Sequence, residues 1–294
     1  MKSGFVAILG RPNVGKSTLL NHILKKKISI VTDKSQTTRN NIRGIYSSDE
    51  GQIVFLDTPG VHKPHQKLGE EMNVMAYSAA HDADVSILVV DTSKEFGKGD
   101  MFLIEHVDIH KTPLIIAFNK IDLITIDKAE TLKRIYREHF PNAIFIDTVA
   151  KEGFNTDEII KTIFELLPEG EPFYNDEDSA EHDLVFQIKE IIREKALLDL
   201  REEVPHSIAV YIQNIEWESN PINIFADIIV EKDGQKGIVL GTNGKRIKHI
   251  GTRARYDIEK LLKKHVFLDL HVKVEADWRN QDKSLSTFGY KNKK

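Results

Sequence analysis

The 294 residues predict an α/β domain with a mostly parallel sheet and helices on both faces, followed by a smaller α+β domain. Three observations lead there. Residues 1–170 alternate apolar runs of strand length with longer amphipathic runs, the pattern of strands buried on both faces and joined by helices. Pro168-Glu169-Gly170-Glu171-Pro172 and the acidic run Asn175-Asp176-Glu177-Asp178-Ser179 then break that alternation. Beyond them, two strands of alternating character mix with helices. The expected division is 1–170, a linker at 171–181, and 182–294.

The runs at 5–9, 53–56, 85–90, 114–118 and 143–146 are rich in Val, Ile or Phe and of strand length. Helices are expected between them at 16–26, 69–81, 98–110, 127–139 and 156–167. Asp49-Glu50-Gly51-Gln52 joins 42–48 to 53–57 as a hairpin, which adds an antiparallel edge. The second part reads as a helix at 184–200, strands at 207–215 and 222–231, and a short apolar run at 238–240. A glycine turn, a basic helix reaching 264 and a last strand at 266–274 follow.

Composition narrows the chemistry. Hydrophobic residues make up 40% and charged residues 29%, as in soluble globular proteins. There is no cysteine, which excludes disulfides and thiolate zinc sites and fits a reducing cytoplasm. Met1-Lys2-Ser3-Gly4 runs straight into a strand, so no signal peptide is expected, and no apolar stretch reaches the roughly 20 residues of a membrane span. With a net charge of −4, any nucleic-acid surface must be local.

Gly10-Arg11-Pro12-Asn13-Val14-Gly15-Lys16-Ser17 follows a strand and opens a helix, the setting of a phosphate loop. Its glycines let successive N–H groups face phosphate oxygens, and the helix N-terminus adds positive potential. Lys16 reaches the β- and γ-phosphates, Ser17 binds Mg²⁺, and Thr18 adjoins the phosphates. Asp57-Thr58-Pro59-Gly60 ends a strand, where Asp57 holds Mg²⁺ through a water and the Gly60 N–H meets the γ-phosphate. Thr37 or Thr38, with Thr38 favoured, closes over the metal. In Asn119-Lys120-Ile121-Asp122, the Asp122 carboxylate accepts from the ring N–H and exocyclic amine of guanine, a donor pair that adenine lacks on that edge.

These four runs, in this order, resemble the Ras-like GTPases, a class of P-loop NTPase. The resemblance implies GTP as substrate, GDP as product, and Mg²⁺ as cofactor. It also implies a guanine contact from the Ala150 backbone in Val149-Ala150-Lys151, where the usual serine is absent. Ras-type enzymes place a water-orienting glutamine after the glycine of the metal turn, whereas this chain has Val61. Hydrolysis must then use backbone, the phosphate itself, an ion or another residue. In related GTPases an asparagine at the position of Asn13 ligates K⁺, which implies slow hydrolysis stimulated by K⁺; a plain turn former is the competing reading.

Gly241-Thr242-Asn243-Gly244 precedes a segment carrying Lys245, Arg246, Lys248, Arg253, Arg255, Lys260, Lys263 and Lys264 against Asp257 and Glu259, a local net charge of +6. A glycine turn of this kind clamps about four nucleotides of single-stranded nucleic acid, and flanking cations add affinity without sequence information; a solvated basic face is the competing reading. Ile247, Ile250 and Ala254 fall on the core side of the helix. The element order resembles a type II KH domain. His62 and His65 read as surface histidines, and Trp217 and Trp278 as packed between strand and helix, with stacking on bases the competing reading.

The joint pattern resembles the Era GTPases. Beyond the runs above, the match takes in Gln36-Thr37-Thr38-Arg39, Arg201-Glu202-Glu203-Val204-Pro205-His206-Ser207, residues 241–251 with Ala254-Arg255, and Trp278-Arg279 through Gly289-Tyr290. That resemblance implies a monomer that binds the 3′ end of small-subunit rRNA and serves assembly of the 30S subunit. It also implies a cytoplasmic protein with peripheral association at the inner membrane. Two other readings remain open: a KH protein with a structural nucleotide domain, and a P-loop kinase or ATPase, which Asp122 disfavours.

Overall fold

The computed structural model describes residues 1–32, 34, 36–107, 112–174 and 184–291. Two compact units emerge, Met1–His65 with Gly69–Ala180, and Glu181–Lys294 with Gln66–Leu68.

The first unit is built on six strands, β1 (Lys2–Leu9), β2 (Ile42–Ser48), β3 (Gly51–Asp57), β4 (Val85–Asp91), β5 (Leu114–Asn119) and β6 (Ile144–Thr148), in spatial order β2-β3-β1-β4-β5-β6. Only the β2–β3 hairpin is antiparallel, as its turn sequence predicts. Burial on both faces explains the unbroken apolar runs. Along β1, Val6 and Ile8 join one core with Leu19, Ile23 and Ile163, while Ala7 and Leu9 join the other with Ala76, Leu103 and Tyr136. Helices α1 (Lys16–Ile23) and α5 (Thr156–Leu166) cover the first face; α2 (Lys67–Asp82), α3 (Lys98–His106) and α4 (Ile126–His139) cover the second. In-register pairing sets Ile8 beside Asp57, Asp91 beside Asn119, and Asn119 beside Thr148. The chemistry-bearing residues thus lie along the carboxyl edge of the sheet, where ligands of open α/β sheets bind.

Helix α1 stops short of the expected residue 26. Lys25 takes φ +49, and the Asn21 side chain captures the following loop by accepting from the N–H groups of Ile28 and Ser29 at 2.8 and 2.9 Å. Helix α3 ends at His106; the rest of the expected stretch includes 108–110, outside the described residues. Residues 171–174 of the expected linker are pinned to the first unit. Gln52 Oε1 accepts from the N–H groups of Phe173 and Tyr174 at 2.9 and 3.0 Å, and the Phe173 ring packs 4.8 Å from Phe5. Residues 175–181 lie outside the described residues.

The second unit contains α6 (Leu184–Asp199), α7 (Val204–Ser207), β7 (Ala209–Glu216), β8 (Ile222–Val230), α8 (Asp233–Leu240), α9 (Lys245–Leu262), β9 (Val266–Val274) and α10 (Asp282–Thr287). Its sheet runs β7-β8-β9, antiparallel then parallel. Ile250 and Ala254 are fully buried against α6 and the sheet, and Ile247 packs beside them. Among the described residues, no helix is long and apolar enough to cross a membrane.

Two sequence pieces without evident chemistry meet at Trp278. Its indole N–H donates to the Ser207 carbonyl at 2.8 Å, and its ring lies 5.5 Å from Phe288 and 5.8 Å from Tyr290. Lys189 on α6 donates to the Phe288 carbonyl and lies over the Tyr290 ring. The C-terminal segment is therefore part of the second unit's packing. Trp217, by contrast, is not packed between strand and helix: it is 38% exposed just past the end of β7. Trp278→Ala should lower unfolding free energy by about 3–5 kcal/mol, through lost burial and an orphaned carbonyl, as read by denaturant titration.

Candidate functional site

The phosphate loop owes its shape to positions that tolerate no side chain. Gly10 takes φ +147, and an added Cβ would meet the Val89 carbonyl at 2.6 Å. Gly15 takes φ +106, and its Cβ would lie 2.2 Å from Asn119 Nδ2. Asn13, exposed, is left-handed at φ +63. Lys16 is buried and donates to the carbonyls of Gly10 and Arg11 at 3.2 and 2.9 Å, so the loop's own oxygens hold the ammonium that a phosphate would take. Burial pushes its pKa down to about 8, and Asp57 opposes that shift.

Asp57 is the point where the elements converge. Its Oδ2 accepts from Ser17 at 2.7 Å and from Ser29 at 2.9 Å, and Thr38 Oγ1 lies 2.9 Å from Ser17 Oγ. Its Oδ1 is buried with no hydrogen-bond partner. Burial raises the Asp57 pKa, while Lys16 and the hydroxyls pull it back. An orphaned carboxylate oxygen beside two hydroxyls suits a hard, oxygen-seeking cation that keeps several waters, which is Mg²⁺ rather than zinc. Among the described residues, no group of three or more His, Cys, Asp or Glu is placed to hold a metal ion. Thr37 points elsewhere, bonding to Thr32 and to the Lys34 carbonyl, which leaves Thr38 at the metal locus.

Several residues expected to touch nucleotide also brace the loops around the cleft. Asn119 is buried and braces two loops, donating to the Val14 carbonyl at 2.7 Å and accepting from the Ala150 N–H at 2.8 Å. The Ala150 N–H, expected to contact guanine, is held by the Asn119 side chain in this structure. Lys120 Nζ donates to the Asn13 carbonyl at 3.0 Å and pairs with Asp91 at 2.6 Å. The Thr58 hydroxyl donates to the Ile8 carbonyl, and Pro59 is buried; neither lines the phosphate cleft. Thr18 does, with Gly15, Lys16, Ser17, Thr38 and Gly60, around about 370 Å³. Gly60 lies so near Pro12 that a Cβ would meet its backbone N at 2.6 Å. Asp122 stands exposed in a 3₁₀ turn, Ile121–Leu123, that follows the left-handed Lys120. Sequence reasoning missed Ser29 and Asp91, which lie in stretches without any motif.

In the second unit, Gly241 ends α8 at φ +70, while Asn243 and Gly244 are left-handed at φ +52 and +72. Thr242, Asn243, Lys245, Arg246, Lys248 and Arg255 are exposed around this turn. Arg246 Nη1 also caps α8 by donating to the Ile238 carbonyl at 2.5 Å. Arg253, expected among the RNA-binding cations, pairs at 3.2 Å with Asp199, whose other oxygen holds His249 at 2.6 Å.

Residues 5–120 match the family model described as a 50S ribosome-binding GTPase, and residues 203–279 match that of the KH domain. GTPase Era of Carboxydothermus hydrogenoformans is 45% identical over 291 residues, covering 98% of both chains. The chain belongs to the Era family of GTPases. GTPase Era of Leuconostoc citreum is 47% identical over 98% of this chain and 96% of its own length. A crystal structure of Era with MgGDPNP and nucleotides 1506–1542 of 16S ribosomal RNA superposes at a TM-score of 0.92, with 38% identity and 99% of each chain covered. Aquifex aeolicus Era bound to GDP·AlF₄⁻, a tyrosine-to-alanine variant, gives 0.92 and 39% over the same coverage. As a member of the Era family, the chain is a GTP-hydrolysing enzyme that carries a KH domain.

Two outcomes follow from this geometry. Gly15→Ala should abolish measurable GTP binding in a fluorescent-nucleotide titration, because the backbone angle and Asn119 both refuse a methyl group. The depressed Lys16 means that the free site holds its proton only below about 8, against 10.5 for an ordinary lysine. Phosphate binding recharges it, so nucleotide binding at about pH 9 should take up a proton, and affinity should fall as pH rises through that window. Calorimetry in two buffers of different ionisation enthalpy measures the uptake, which should fade toward about pH 7.

Proposed function

We propose that this chain is a GTP-controlled RNA-binding switch that serves assembly of the small ribosomal subunit and holds the single-stranded 3′ end of its rRNA. The observation that carries the reading is the joining, in one chain, of the Asp57 metal locus to an open basic glycine turn. The solved relative holding both MgGDPNP and 16S rRNA supports it.

The nucleotide half works by positioning. Backbone N–H groups of the phosphate loop and Lys16 cradle the β- and γ-phosphates. Ser17, Thr38 and Asp57 hold Mg²⁺, which neutralises charge developing on the phosphate oxygens. Thr38 and Ser29 reach the same carboxylate region from the loop that follows α1, so the contents of the metal locus decide how that loop is held. Asn13, exposed at the lip of the phosphate loop, is the residue to ligate K⁺.

The RNA half combines a left-handed turn with exposed cations. Gly234 and Gly237 of α8 add to it: a Cβ at either would meet nothing within 4 Å. Glycine in a helix interior costs about 1 kcal/mol relative to alanine, and neither is needed for protein packing. A bare helix face beside the glycine turn suits close approach by a nucleotide chain.

Asp122→Asn should shift preference from GTP toward xanthosine triphosphate; unchanged nucleotide choice in competition binding would refute the base assignment. Single-turnover hydrolysis should run faster in K⁺ than in Na⁺, and equal rates would remove Asn13 as an ion ligand. Crosslinking and sequencing of bound RNA should recover the small-subunit rRNA 3′ end under GTP and much less under GDP. Equal recovery would break the switch, and none would end the ribosomal reading.

A further inference from the structure

Val61 leaves the attacking water without the side chain that Ras-type enzymes supply, and the structure shows why this residue cannot help. It is fully buried in a core shared with β1 and α2, it is not among the residues that line the phosphate cleft, and its N–H donates to the Gly10 carbonyl at 3.1 Å. The neighbouring residue is held in a different way. The His62 ring places Nδ1 3.0 Å from the Gly60 carbonyl and Nε2 3.0 Å from Gln36 Nε2. Its main chain is fixed as well, because the buried Asn73 donates to the His62 carbonyl at 2.8 Å.

Those contacts define one proton arrangement. A carbonyl only accepts, so Nδ1 carries the proton and donates to Gly60. Nε2 of the neutral ring then accepts from the Gln36 amide N–H. Gln36 is thereby oriented with its amide nitrogen committed to the histidine and its Oε1 left as an acceptor. Gln36 lines the same cleft as Lys16, Ser17, Thr38 and Gly60. A carboxamide oxygen on a residue lining that cleft can accept a hydrogen bond from a water and set its lone pair toward phosphorus.

We propose that Gln36, supplied by the loop after α1 and held in place by His62, is the side chain that orients the attacking water in this GTPase. The proposal rests on the chain being a GTP-hydrolysing enzyme. His62 is a positioning residue: it fixes the Gly60 peptide and the Gln36 amide together, which ties the two loops that flank the γ-phosphate. The function that Val61 cannot perform is thus divided between a glutamine on one loop and a histidine on the other.

Single-turnover GTP hydrolysis, with affinity for a non-hydrolysable GTP analogue measured alongside, tests the pair. Gln36→Ala should slow hydrolysis by about tenfold or more while leaving analogue affinity within about twofold, since a water-orienting group acts on the chemical step. His62→Ala should slow it too, and His62→Gln, which retains a donor for Gly60 and an acceptor for Gln36, should recover part of the loss. Because the histidine acts through the glutamine, the double alanine variant should be no more than about twofold slower than Gln36→Ala. Gln36→Ala hydrolysing at the wild-type rate would overturn the proposal, as would losses that multiply in the double variant. Wild-type protein that binds GTP without hydrolysing it would instead remove the GTPase reading beneath it.

Discussion

A single buried carboxylate organises the nucleotide half of this molecule. Asp57 sits at the end of β3 with no exposure to solvent, one oxygen shared by Ser17 and Ser29 and the other without any partner. Leaving a charged oxygen unpaired in a buried site is costly, and burial accordingly raises its pKa. That cost is relieved by a cation and its waters. The hydroxyls that gather there come from three segments: Ser17 at the start of α1, and Ser29 and Thr38 from the two ends of the loop behind it. Whatever occupies the metal locus therefore bears at once on the phosphate loop and on the loop that carries Gln36.

The rest of the site is bracing. Asn119 joins the phosphate loop to the loop of Ala150, and Lys120 joins the same phosphate loop to Asp91. A preorganised cradle does not have to reorganise when charge develops on the phosphates, which is where such sites gain most of their effect. Asp122 is left outside this bracing, exposed on its short turn.

Much of this was legible in the sequence because it rests on local rules. Glycines 10, 15 and 60 mark positions where the backbone must bend or approach another chain segment, and apolar runs of strand length mark strands buried on two faces. What escaped was set by tertiary contact. Ser29 is one serine in a polar loop until Asp57 is brought beside it. Arg253 reads as one more cation on a basic helix until Asp199 of α6 reaches it. His62 reads as a surface histidine until Gly60 and Gln36 close on its two nitrogens, and Trp217 lacks the partners that burial would need. The bond from the Ala150 N–H to Asn119 is likewise a tertiary contact that no local pattern announces.

The central claim is that Asp57 holds the metal through which this site recognises GTP, and the magnesium dependence of nucleotide affinity tests it most directly. Binding of a non-hydrolysable GTP analogue should tighten by about tenfold or more as Mg²⁺ is raised in the wild-type protein. In a folded Asp57→Asn variant the affinity should stay nearly flat across the same titration. An Asp57→Asn protein whose affinity climbs with Mg²⁺ as steeply as the wild type would contradict the account.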